Sequence, residues 1–156
     1  MRDTKEAFNW IVNILENKKI RYRITGGCAA KVYGSNRRLA DIDIDVPFAE
    51  IKKIVPEIRK YLTFPLKRYK DENFDTFGLA LKYNGQRIEL CAIDKEKLFD
   101  SRTKKWVKPA FNMQDYSIKK FLGVRARFIK IKNLIEYKRT LGRGVDLRDI
   151  KNLTKS

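Results

Sequence analysis

Residues 25–46 read TGGCAAKVYGSNRRLADIDIDV, and how the last six are read decides the fold. Asp41, Asp43 and Asp45 alternate there with Ile42, Ile44 and Val46. Such alternation predicts a β-strand with three carboxylates on one face and three apolar side chains on the other. Aspartate is depleted in strands, and like charges placed together repel. A solvated acidic face is the plain reading, and a cation site is the sharper one. Hard carboxylate oxygens suit Mg²⁺, which takes octahedral oxygen coordination and keeps some waters for a phosphate substrate. Two such ions clamp the attacking and leaving oxygens of a displacement at phosphorus.

Working outward, Asp3 and Glu6 have capping-box spacing, and Phe8, Ile11, Val12 and Leu15 follow at helical intervals. A short strand is expected over 19–25, ending at Gly26, and a helix from the glycines to about Gly34. After the acidic strand a helix opens near Pro47, with a kink or break expected at Pro56. Asn84-Gly85 separates two strand-like runs and predicts a tight hairpin. Strands or hairpin arms are expected in TKKWVKPAF and SIKKFLGVRARFIKI, and two short helices, parted by Gly142 and Gly144, at the end. The fold class is mixed α/β (α+β): a mixed sheet flanked by helices, with C-terminal helices, read as a single domain over 1–156.

Composition narrows the chemistry. The chain holds 36 Lys and Arg against 19 Asp and Glu, and no histidine. Histidine-based triads, bases and metal ligands are therefore excluded. Cys28 and Cys91 are too few for a disulfide framework and lack zinc-site spacing, which suggests reduced thiols in the cytoplasm. No signal core or membrane-length apolar run is evident. The basic surplus points to phosphate-rich partners.

Glu89, in the strand QRIELCAI, is a second carboxylate source. An interior glutamate in an apolar strand needs a salt bridge or a metal to compensate it. The Gly26-Gly27 turn, between a strand and a helix, lets a ligand approach the backbone and offers free amides to phosphates. It is not a Walker loop, since Gly-Lys-Ser/Thr is missing.

A strand, Gly26-Gly27, thirteen intervening residues and then Asp41-Ile42-Asp43 together resemble the DNA-polymerase-β-like nucleotidyltransferase superfamily. The resemblance implies that Asp41 and Asp43 are the metal-binding pair, Glu89 the third carboxylate, and Gly26 with Gly27 the triphosphate-binding turn. The role of Asp45 is left open. The stretch NLIEYKRTLGRGVDLRDIKNL resembles the helical ending of small single-domain members, among them abortive-infection-type toxins and antibiotic nucleotidyltransferases. By that likeness Lys138 and Arg143 face the nucleotide phosphates, and Asp146 and Asp149 hold the helices together. The implied activity is Mg²⁺-dependent transfer of a nucleoside monophosphate from an NTP to an acceptor hydroxyl, with two ions. The alternatives are a toxin-like nucleotide-binding regulator with little turnover and a basic RNA-binding domain.

The acceptor is left open between RNA, such as tRNA, a protein hydroxyl and a small molecule such as an antibiotic; what points to RNA is that residues 117–156 hold twelve Lys or Arg against three acids. Within them Arg125 and Arg127 alternate on a strand, with Lys130 and Lys132 following at the same interval. These four are the candidate RNA contacts. No membrane partner is expected.

Overall fold

The computed structural model describes residues 2–154. Helix α1 (Thr4–Asn17) is capped by Asp3, whose carboxylate accepts from the Glu6 amide at 3.0 Å, and it buries Phe8, Ile11, Val12 and Leu15. It ends with Lys19 at φ +55° and the Ile20 amide donating back to the Leu15 carbonyl, a left-handed C-terminal turn. That turn takes up residues 18–20. The strand expected over 19–25 therefore shrinks to β1 (Arg23–Thr25).

Helix α2 (Gly26–Val32), strand β2 (Asp41–Val46) and helix α3 (Phe48–Ile58) follow. No break falls at Pro56. The helix continues to Ile58 and passes into a 3₁₀ turn over Arg59–Tyr61, held by the burial of Ile51, Ile54 and Ile58 on either side of the proline.

Next come β3 (Leu62–Lys70), β4 (Phe74–Tyr83) and β5 (Gln86–Ala92). The β4–β5 turn has Asn84 at φ +47° and Gly85 at φ +76°, the paired positive angles that tight hairpins need. Strands β6 (Lys97–Asp100), β7 (Lys105–Val107), β8 (Tyr116–Phe121) and β9 (Val124–Ile129) precede α4 (Ile131–Leu141) and α5 (Gly144–Thr154). Strands β3 and β6 are not anticipated by the local sequence.

The strands form one mixed sheet in the order β7-β6-β4-β5-β2-β1-β9-β8, with β3 paired to the other edge of β4. This is a mixed α/β fold, one large sheet flanked by helices. Strand β2 lies inside the sheet, antiparallel to β1 and parallel to β5. Its apolar face (Ile42, Ile44, Val46) is fully buried in one cluster with the α1 stripe and with Ile51, Ile54 and Ile58 of α3. The core thus occupies one side of the sheet and leaves the acidic side of β2 to a cleft. Among the described residues no helix is long and apolar enough to cross a membrane.

Candidate active site

Sheet register aligns the acidic residues of β2 with β5 and β1. Asp43 lies opposite Thr25 on one side and Glu89 on the other, while Asp45 lies between Arg23 and Cys91. Paired positions share a face, so two polar rows cross the same side of the sheet. Helices α4 and α5 wall this side, and the enclosed cleft has a volume of about 560 Å³, within the usual range for small-molecule sites.

In the outer row, one carboxylate oxygen from each of Asp41, Asp43 and Glu89 lies within 4.8 Å of the others. All three residues are half-buried. Burial pushes the Asp43 carboxyl well above the ordinary range, and the nearby charges of Glu89 and Asp41 push it further. Asp41 is raised for the same two reasons, burial and then Glu89, with Arg87 opposing. Arg87 is the neighbouring cation, 2.8 Å from Glu89 and 3.9 Å from Asp41. Of the two compensations that an interior glutamate invites, the salt bridge is present at Glu89, and the neighbouring carboxylates add repulsion that a cation would relieve.

Gly26 is fitted to this row by conformation and by space. It sits at φ +62°, and a Cβ there would overlap Asp43 Oδ2. No residue with a side chain could place the start of α2 so close to the carboxylates. Thr25 Oγ1, in the same row and lining the cleft, is buried without a hydrogen-bond partner.

The inner row is compensated differently. Asp45 is 3% exposed and forms an ion pair with the equally buried Arg23 at 3.0 Å. Beside it, Cys91 lies 3.3 Å from Thr76 Oγ1, and Glu96 Oε1 accepts from the Tyr137 hydroxyl at 3.1 Å. Burial, and then the charge of Asp45, push the Glu96 carboxyl up to about 8. Its Oε2 is buried without a partner. Burial likewise raises the Cys28 and Cys91 thiols, and neither cysteine is in a disulfide.

The C-terminal cations reach the cleft but are already paired. Lys138 is 4% exposed, with Nζ 2.9 Å from Asp149 and 3.8 Å from Asp146. Arg143 bonds Asp146 at 2.6 Å. Asp149 also receives Arg37 at 2.8 Å, and a Cβ on Gly27 would stand 3.2 Å from Arg37 Nη2. Arg37 thus ties the glycine turn to α5, a link that nothing local in the sequence signals.

Of the expected row of RNA-binding cations, Arg125 and Arg127 share a face of β9, and the row stops there. Strand β9 ends at Ile129, Lys130 caps α4 and Lys132 lies in its first turn. Arg127 is held 3.6 Å from Glu16, and Lys130 is 2.7 Å from Asp115. None of Arg125, Arg127, Lys130 and Lys132 lines the cleft. Sequence reasoning also missed Arg87, Glu96 and the cleft-lining β3 residues Phe64 and Tyr69.

The fold has a solved counterpart. A crystal structure of a proposed nucleotidyltransferase from Thermotoga maritima superposes with a TM-score of 0.75, covering 99% of this chain and 96% of that one at 15% sequence identity. No protein-family model and no curated protein matches the sequence.

Proposed function

We propose that this chain is a divalent-metal-dependent nucleotidyltransferase that moves a nucleoside monophosphate from an NTP to an acceptor hydroxyl and releases pyrophosphate. The observation that carries the reading is the convergence of Asp41, Asp43 and Glu89 oxygens within 4.8 Å, beside a glycine that only a Cβ-less residue could occupy. The donor set fits Mg²⁺: three carboxylates, no soft ligand, and mutual repulsion that a cation relieves. Asp41, Asp43 and Glu89 would hold the ions, which supply charge neutralisation at the triphosphate and its leaving group.

The chain's own groups do the rest. The Gly26-Gly27 turn offers backbone amides to the phosphates. Lys138 and Arg143 reach the same cleft, held in place by Asp149 and Asp146, and are the side chains we assign to the phosphates. Glu89 is placed to orient the acceptor hydroxyl or take its proton, once released from Arg87. Positioning and electrostatics supply most of the effect in such transfers. RNA is the acceptor that the cation surplus of the chain favours.

The test is incubation with each labelled NTP, Mg²⁺ and total cellular RNA or protein. Label in RNA that depends on Mg²⁺ and on Asp41 and Asp43 supports the whole reading. Label in protein replaces the acceptor. Metal-dependent NTP binding without any transfer makes the chain a nucleotide-binding regulator instead.

A further inference from the structure

We propose that strand β3 forms the acceptor side of the cleft, where Tyr69 stacks the terminal base of a single-stranded RNA and Lys67 meets its phosphate. The proposal rests on the transferase reading and names the acceptor subsite. In register, Phe64 lies opposite Ala80, which lies opposite Glu89. Lys67 lies opposite Gly78, which faces Cys91, and Tyr69 lies opposite Thr76. Phe64, Lys67 and Tyr69 therefore share the carboxylate face; Phe64 is two strands, about 10 Å, from Glu89 in the same row, and Lys67 and Tyr69 follow one and two rows further along. Between them β4 contributes only Thr76, Gly78 and Ala80 to that face, so no bulky side chain separates Glu89 from the rings. The glycine turn stands on the opposite flank of the carboxylates, next to β1. If the triphosphate occupies that flank, the acceptor enters over β3.

The rings are prepared for contact. Tyr69 is 46% exposed although it lines the cleft. Its hydroxyl donates to Asp71 at 2.9 Å, and the other Asp71 oxygen accepts the Asn73 and Phe74 amides. The ring is thus anchored before any ligand arrives. Phe64 packs edge-to-face against it at 6.4 Å, with Lys67 Nζ 4.5 Å above the Phe64 ring.

Edge strands carry charge and proline to prevent stray pairing. That accounts for Pro65, and for Arg68, which is bound to Asp75 at 2.8 Å. It does not account for two rings turned into a polar cleft, where exposed apolar area is unfavourable without a partner. Lys82 and Arg87 share a register row with Asp41 on the same face. An open ring with Lys67 one step along the same strand face suits a nucleic-acid strand, since base–aromatic stacking tolerates any base.

The test measures binding of a labelled single-stranded RNA oligonucleotide, and of DNA of the same sequence, at low and rising salt, without NTP. Mg²⁺–NTP binding is measured alongside. We expect Tyr69→Ala to weaken RNA binding roughly ten-fold and Tyr69→Phe to stay within about two-fold of wild type. Lys67→Ala should weaken binding and reduce the salt slope by about one. Arg125→Ala/Arg127→Ala should leave RNA affinity near wild type, and NTP binding should be unchanged throughout. Wild-type RNA affinity in Tyr69→Ala, or no RNA binding by a wild type that does bind NTP, would overturn the proposal. Tighter binding of the DNA overturns the RNA assignment. Failure to bind NTP, with Tyr69-dependent RNA binding intact, removes the transferase reading and leaves the RNA surface standing.

Discussion

Two groups of acids lie on the same face of the same two strands, one step of register apart, and they are handled in opposite ways. Asp43 and Glu89 face each other with Asp41 close by, half-exposed, and the positive charge beside them comes from Arg87 and Arg2 at the margin. Asp45 and Cys91 face each other one step deeper, with Glu96 beside them, and each has a dedicated partner: Arg23, Thr76 and Tyr137 respectively. Asp45 thus has a buried cation of its own, although Glu96 keeps one oxygen without a partner and feels the charge of Asp45; Asp43 has no ion pair among the described residues. Repulsion left standing at the mouth of a cleft is what a cation-dependent site needs. At its floor a buried ion pair relieves part of it.

The sharpest way to break this contrast is to remove outer charges one at a time. Asp41→Asn and Asp43→Asn are expected to abolish transfer, and Glu89→Gln to lose most turnover while keeping NTP binding. Asp43→Asn should also stabilise the metal-free protein, read as a higher midpoint of denaturant unfolding. The sign follows from the raised Asp43 carboxyl. Between about pH 4 and its raised value the native state holds the proton that the unfolded chain has lost, so metal-free stability falls as pH rises through that window. Mg²⁺ should raise the melting temperature of wild type and not that of Asp43→Asn. Full activity in either aspartate variant, or a metal response that survives in Asp43→Asn, ends the assignment.

The inner group should answer in stability. Arg23→Ala leaves the Asp45 charge buried and unpaired, which is expected to cost about 3–5 kcal/mol in denaturant unfolding. A loss under about 1 kcal/mol would mean that Asp45 is solvated or protonated, and the contrast would weaken. Replacing both members with Arg23→Met/Asp45→Leu should recover much of the loss.

Glu96 supplies a pH-dependent version of the same test. Its carboxyl is raised to about 8 by burial and by Asp45, against about 4.3 in an unfolded chain. Between those values the native state binds the extra proton, so stability falls as pH rises and levels off only above about 8. Glu96→Gln keeps the neutral form at every pH and can still accept from Tyr137. The variant should match wild type near pH 5 and exceed it by a few kcal/mol near pH 9. Parallel stability curves for the two proteins would show that Glu96 ionises freely.

How much of this was legible follows from how local each signal is. Helix α1 and the Asn84-Gly85 hairpin are set by contacts within a few residues, so spacing alone reveals them. The face of Asp41, Asp43 and Asp45 is likewise local, because alternation fixes it. Strand β3 is different. LTFPLKRYK carries a proline and three cations, and it is a strand only because β4 pairs along it, with register shifts on either side of Phe64. Glu96 sits just after a short 3₁₀ turn in a run that reads as solvated charge. Tyr137 and Asp45, far away in sequence, are what surround it. The cation row stops at Arg127 because Ile129 ends β9, and neither Lys130 nor Lys132 continues a strand face.

Cys91 carries the smallest expected effect, and it tests the boundary between the two groups. Its position is one step of register from Glu89, so a catalytic thiol there would merge both rows into one site. The chemistry argues against that. Burial, and then the charges of Glu96 and Asp45, hold the thiol well above its ordinary range, and a protonated thiol is a poor nucleophile. Serine keeps a polar atom within reach of Thr76 Oγ1 and loses only some packing volume. Cys91→Ser should therefore retain transfer within about two-fold and lose about 1 kcal/mol of stability or less. In native wild type at pH 8, Cys91 should alkylate far more slowly than in the unfolded chain. Loss of transfer in a folded Cys91→Ser variant would mean that the inner group takes part in the chemistry, and that the contrast between the rows is one of depth alone.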